Sequence, residues 1–175
     1  LSQAAALDSG DADMRFELGR LAWWQALNPK RTTVSRQAWL EKSTEHLKAA
    51  LAMRPSWGRA WSELSYVELQ RGQLLDSHHA LTRAMHYEPY EGETQWMVMA
   101  TGFAIWPMLF GEVQKGFLDI TRHVLSHSWV QWAVVPAVHN RREDVIRPMI
   151  AGNDRAQKML EQKIAERDRR AAKQP

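Results

Sequence analysis

Two histidines, His123 and His127, stand four residues apart in "HVLSH". On a helix that spacing places both imidazoles on one face, where they can ligate a metal ion. A metalloprotease helix also carries a glutamate directly after its first histidine, and here that residue is Val124. The sequence offers no third ligand. A metal-assisted hydrolase is therefore the least supported activity, and we expect two exposed or half-buried helix residues and no metal site. His78 and His79 are neighbours and point apart on a helix; with His86 they make a pH-sensitive patch or, by expectation, a solvated surface. The carboxylate pairs Glu143–Asp144 and Asp11–Asp13 resemble an acid and base. All four stand where helices begin, and the helix macrodipole accounts for them. Without cysteine, a thiol nucleophile, a disulfide and a cysteine metal site are excluded. A phosphate loop, nucleophile elbow and dinucleotide fingerprint are missing too. We expect no catalytic residue and no cofactor.

What remains is recognition chemistry. The chain has nine tryptophans in 175 residues. Each brings a large apolar area that either anchors helix packing or lines a groove. "WW" at Trp23–Trp24 cannot be wholly buried on one face, because adjacent helical residues lie about 100° apart. The net charge is +3 with acidic and basic residues interleaved, which lacks the clustered basic face of a nucleic-acid binder. No apolar run approaches the roughly 18 residues of a membrane span. The most apolar window, Trp96 to Phe110, is broken by Pro107 and reads as a core helix. The chain begins with Leu1, so we expect a processed or cut chain from which a signal peptide or membrane anchor has been removed.

The elements that position these residues are helices. Apolar residues recur at helical spacing and β-branched residues are sparse. Helices are expected from Ser9 or Asp11 to Pro29, from about Ser35 to Pro55, from Gly58 to about Gln70 and from Leu75 to Tyr87. Others follow from Gly92 to about Trp106, from Gly111 or Glu112 to Ser126, and through "SWVQWAVVPAVHN", kinked at Pro136. "REDVIRPMIAG" and a polar helix capped at Asn153 or Asp154 complete the chain. Asn28 to Gln37 reads as a polar loop.

Pro55 and Pro89 are 34 residues apart, and each is followed three residues on by a glycine, Gly58 and Gly92. Paired helices with that period are the signature of tetratricopeptide (TPR) repeats. Trp61, Leu64 and the small Ser65 sit at the first-helix positions of the motif. Ser77, Leu81, Ala84 and Pro89 sit at those of the second, and Ser43, Leu47, Ala50 and Pro55 repeat them at an offset of 34. Leu18–Gly19 supplies the preceding first helix, so the first unit carries a loop about a dozen residues longer than usual. The third unit is degenerate: Trp96 falls one residue late and the second helix slips. The expected fold is all-α, a TPR-like helical-hairpin solenoid in a single domain, 1–175. It comprises repeats at 9–54, 58–91 and 92–127, with capping helices at 128–175. In such an array the first helix of each pair lines a concave groove. That projection places Phe16, Arg20, Trp23, Trp24, Arg59, Ser62, Tyr66, Leu69, Gln70, Trp96, Ala100 and Phe103 in it.

Within this pattern, "RPSWGRAWSELSYVEL" and "LLDSHHALTRAMHYEPYEGETQWMVMATGFAIWPML" resemble a narrower group. The Pro55-x-Trp57 opening, Asp76, Pro89-Tyr90-Glu91, Gln95, Gly102 and Trp106-Pro107 are similar to the TPR-like VpsP-type accessory family of bacterial exopolysaccharide biosynthesis. Where that family carries Pro-Trp-Glu-Pro, this chain reads Pro89-Tyr90-Glu91-Gly92. The resemblance implies a largely periplasmic protein, anchored in the inner membrane through a missing N-terminal segment; a cytoplasmic location stays open. It implies no catalytic residue. The expected function is a non-enzymatic scaffold or assembly factor that docks a protein partner of a polysaccharide synthesis and export system in its groove. Direct polysaccharide binding by the same aromatic groove is the alternative.

Overall fold

The computed structural model describes residues 11–28 and 34–173. Ser9, Pro29 and most of the expected 28–37 loop lie outside the described residues. All regular structure among the described residues is helical. The helices are α1 (Ala12–Leu27), α2 (Arg36–Met53), α3 (Gly58–Gln70), α4 (Leu74–Tyr87), α5 (Gly92–Ala104), α6 (Gly111–Ser126), α7 (Gln131–His139), α8 (Glu143–Ile146) and α9 (Asp154–Ala171). Short 3-10 turns run over Trp106–Met108 and Arg147–Ile150. The chain divides into two compact units, 1–97 and 98–175, and the division falls within α5.

In the first unit the helix starts follow from capping chemistry. Asp11 accepts from the backbone N–H groups of Asp13 and Met14 at 2.9 and 3.1 Å, and Ser35 accepts from that of Ala38 at 3.2 Å. Of the two caps expected for α1, Asp11 serves. α1 packs against α2 and α3 against α4, as antiparallel neighbours joined by short connections do. Small residues set the approach of each pair. A Cβ on Gly19 would stand 2.8 Å from Leu47 Cγ, so only glycine fits there without displacement. Ser43 Oγ donates to the Gly19 carbonyl at 2.8 Å, and Ser77 Oγ donates to the Ser65 carbonyl at 2.8 Å. The two donors are the serines that the 34-residue offset pairs. Leu47 and Leu81 fill the space beside them, and Ala50 and Ala84 close it, all four buried.

The prolines carry the same echo. Trp61 Nε1 donates to the Pro55 carbonyl at 2.8 Å, and Gln95 Nε2 donates to the Pro89 carbonyl at 3.3 Å. Gln95, fully buried, therefore takes the place that Trp61 holds one period earlier, while Trp96 is largely exposed. Trp96 is indeed one residue late for that role, and the residue filling it is an amide whose donor reaches the same kind of carbonyl.

The second unit is built differently. Gly102 on α5 lies against the ring of Phe117 on α6, where an added Cβ would stand 2.1 Å from Cε2. Phe103 and Phe117 meet edge to face at 5.1 Å, with Trp106 5.9 Å from Phe117. The fifth helix ends at Ala104 instead of near Trp106, because Pro107 lacks the N–H that would continue it. α7 carries Pro136 in its interior, and Asn140 answers from the far end, donating from backbone N (3.0 Å) and Nδ2 (2.8 Å) to the Pro136 carbonyl. α9 packs along α7. Its start is capped by Asn153, which accepts from Ala156 N at 3.0 Å. Arg167 ties it to Glu143 and to the Val138 carbonyl, the latter at 3.2 Å.

Candidate functional site

The expected groove residues divide by burial. Arg20, Trp23, Arg59, Tyr66, Leu69 and Gln70 are half-buried, and Trp24 and Trp96 are exposed. Phe16, Ser62 and Phe103 are buried and offer no surface to a partner, which corrects their placement as groove lining. Ser62 turns its hydroxyl to the Arg59 carbonyl of its own helix at 2.8 Å. Phe16 lies against Trp57 at 4.5 Å, with the Arg59 and Arg20 guanidinium carbons 5.2 and 5.8 Å from its ring centroid. It supports the two arginines from beneath. Ala100 is half-buried and, like Phe103, belongs to the second unit.

What the first unit brings together is a row of rings from three successive first helices. Trp23 of α1 meets Tyr66 of α3 edge to face at 5.7 Å, and Tyr66 meets Trp96 of α5 at 6.3 Å. The Trp23 indole N–H is buried without a hydrogen-bond partner. Burial raises the pKa of the Tyr66 hydroxyl above its ordinary value, and Arg36 pulls it the other way. Arg36 itself donates to Gln70 Oε1 at 2.7 Å, which fixes the Gln70 amide at the end of the row.

Beside the rings lies a charge cluster that the sequence does not announce. Glu63 is buried on α3, with Arg20 Nε 3.6 Å from its Oε1. Arg20 also pairs with Glu17 at 3.2 Å, and Arg59 pairs with Glu93. Burial pushes the Glu63 carboxyl up to about 7, outweighing the pull of Arg20 and Arg59. The Nε atoms of Arg20 and Arg59 are buried and make no hydrogen bond. The surface thus offers stacked apolar planes, three unused N–H donors and a carboxyl that gains or loses its proton near neutrality.

The other sequence candidates scatter. His123 and His127 have ring centroids 4.3 Å apart. His127 Nδ1 lies 2.8 Å from the His123 carbonyl, a contact that assigns the proton to that nitrogen and withdraws it from metal ligation. The His127 ring stacks on Trp129 at 5.4 Å, and Trp129 on Trp132 at 5.0 Å. Among the described residues no group of three or more His, Asp or Glu could hold a metal ion. His79 meets Trp61 edge to face at 5.9 Å and His86 meets Tyr87 at 4.9 Å, so they form no common patch. Asp13 pairs with Arg54 at 2.8 Å, and Glu143 with Arg167. No helix among the described residues is long and apolar enough to cross a membrane. No protein-family model, curated protein or solved structure matches this chain.

Proposed function

We propose that the first unit is a TPR-like repeat array and that the protein is a non-enzymatic scaffold. It docks a segment of a protein partner on the surface made by Trp23, Tyr66 and Trp96. The observation that carries this reading is the alignment of those rings from three successive first helices, with Arg20 and Arg59 beside them. Aromatic and arginine side chains dominate the energetics of protein interfaces, and the rings are already held in place, so little ordering is lost on binding. The partner segment has an apolar stretch for the rings and a carboxylate or main-chain carbonyl for the free arginine N–H groups. The resemblance of residues 55–109 to VpsP-type proteins supports a partner from bacterial exopolysaccharide synthesis or export. On that reading the chain works in the periplasm, held at the inner membrane by a segment outside this sequence.

A second reading rests on the same rings. Flat faces separated by 5.7 and 6.3 Å also suit the C–H faces of sugar rings, which makes a polysaccharide the alternative ligand. Calorimetric titration with the producing cell's own polymer, run beside affinity purification with the full chain as bait, separates the two. A protein partner retained by the parent and lost with Trp96→Ala, without heat from polymer, supports the scaffold. Polymer binding that Trp96→Ala weakens, with no retained protein, replaces it. A truncated aromatic anchor is expected to weaken its ligand at least tenfold, or roughly 2 kcal/mol.

A further inference from the structure

The opposite side of α3 carries a second site. At about 100° per residue, Trp61, Leu64 and Glu68 share one face of the helix, and Arg59, Glu63 and Tyr66 share the other. The first face opens into a cleft of about 390 Å³ between α2, α3 and α4. Leu51, Leu64 and Ala80 wall it, and the Trp61 indole, braced by His79, stands at its side. Its floor is a carboxylate. Glu68 is 0% exposed. Its Oε2 accepts from Arg71 at 2.7 Å, but Oε1 receives no hydrogen bond. The Lys48 ammonium stands 3.3 Å from Oε1 without the alignment of one, on a side chain that is 55% exposed. Asp76 adds a second acid to the same cleft.

We propose that this cleft is a binding site for an alkylammonium group, the head of a lysine side chain or of a free diamine. A buried carboxylate oxygen that lacks a hydrogen bond is an acceptor waiting for a charged donor, and a low-dielectric floor strengthens that bond. The stem of the ligand lies along Leu51, Leu64 and Ala80, and the ammonium passes the indole face of Trp61, where a cation is favoured. Lys48 is the internal occupant that the ligand displaces: its half-exposed chain swings to solvent, and Asp76 offsets the remaining positive charge. The site uses none of the aromatic row and stands whether or not that surface binds a partner.

The test is NMR titration of the full chain with two cationic probes, cadaverine and N-acetyl-lysine-N′-methylamide, and with neutral pentan-1-ol. Both cationic probes are expected to shift the Trp61 indole and Ala80 resonances, and pentan-1-ol is not. Lys48→Met removes the competitor and should tighten cationic binding about tenfold, while Ala52→Phe fills the cleft mouth and should abolish it. If only one cationic probe binds, that result names the source as a peptide lysine or a free diamine. Equal affinity in Lys48→Met and the parent overturns the proposal, as does pentan-1-ol binding as tightly as the amines. Both variants lie on exposed side chains, so a folded spectrum is expected for each and is checked in the same experiment.

Discussion

In the first unit a serine on the second helix of each hairpin reaches across to a main-chain carbonyl of the first, at Ser43 and again at Ser77, both at 2.8 Å. In the second unit the buried hydroxyl of Thr121 turns back to the Phe117 carbonyl of its own helix at 2.7 Å, with Met99 Sδ 3.5 Å away. There α5 and α6 meet through Gly102, Phe103 and Phe117 instead. A hydroxyl-to-carbonyl bond between helices demands a small residue at fixed positions on both, and those demands recur in the sequence at 34 residues. Ring packing demands only that volumes match, and many sequences satisfy it. The same contrast bears on recognition. Identical hairpin geometry brings successive first helices into register, and register is what lets Trp23, Tyr66 and Trp96 form a row.

The comparison can be broken most sharply at its two tight glycines. Gly102→Ala drives a Cβ into the fully buried Phe117 ring, and we expect a loss of about 3 kcal/mol by chemical denaturation. Gly19→Ala meets the more yielding Leu47 side chain at 2.8 Å, and the better helix propensity of alanine offsets part of the clash; about 1.5 kcal/mol is expected. A Gly19 variant as damaging as the Gly102 one would mean that the serine-bonded hairpins are no more tolerant than the ring-packed pair.

The charge cluster gives the next largest effect. Glu63 has a folded pKa of about 7, raised from 4.5 chiefly by burial, so the folded state holds its proton more tightly than the unfolded chain does. Its contribution is fully present below pH 4.5, declines as pH rises, and is lost above about 7. Glu63→Gln keeps the neutral shape. It should be more stable than the parent by about 2 kcal/mol at pH 8, and the advantage should vanish near pH 4. Equal pH profiles for variant and parent would remove Glu63 as the titrating group.

The finest test of the echo compares Ser43→Ala with Ser77→Ala. Each deletes one buried hydroxyl donor while its carbonyl partner keeps its helical bond, so about 1 kcal/mol is expected from each. Equality within about 0.5 kcal/mol is the prediction, since the two sites are separated and share no partner. Costs differing by more than that would show that the hairpins only look alike.

Much of this was legible in residue spacing. Ser43, Leu47, Ala50 and their partners 34 residues on could be read as helix-pairing positions because small and large residues alternate there in a fixed order. The split between Trp23 and Trp24 followed from helical geometry alone, and Trp24 is indeed the exposed one. Phe16, Ser62 and Phe103 were misplaced for a reason that is equally physical. A helix wheel gives the direction of a side chain but not which directions a neighbouring ring or helix will cover. Gln95 was passed over because an amide does not look like a tryptophan, although both present an N–H at a similar reach. The burial of Glu63 and Glu68 had no signal, because a glutamate in a polar helix reads as solvated until the third helix around it is known.

The central claim is that recognition belongs to the aromatic row of the first unit. It is tested most directly by placing a photo-crosslinking amino acid at Trp96 in one variant and at the exposed Asp119 of the second unit in another, each expressed in the producing cell. The account predicts one discrete adduct from position 96, with a polypeptide of the polysaccharide synthesis or export system, and none from position 119. Adducts of the same composition from both positions, or from neither, would contradict it.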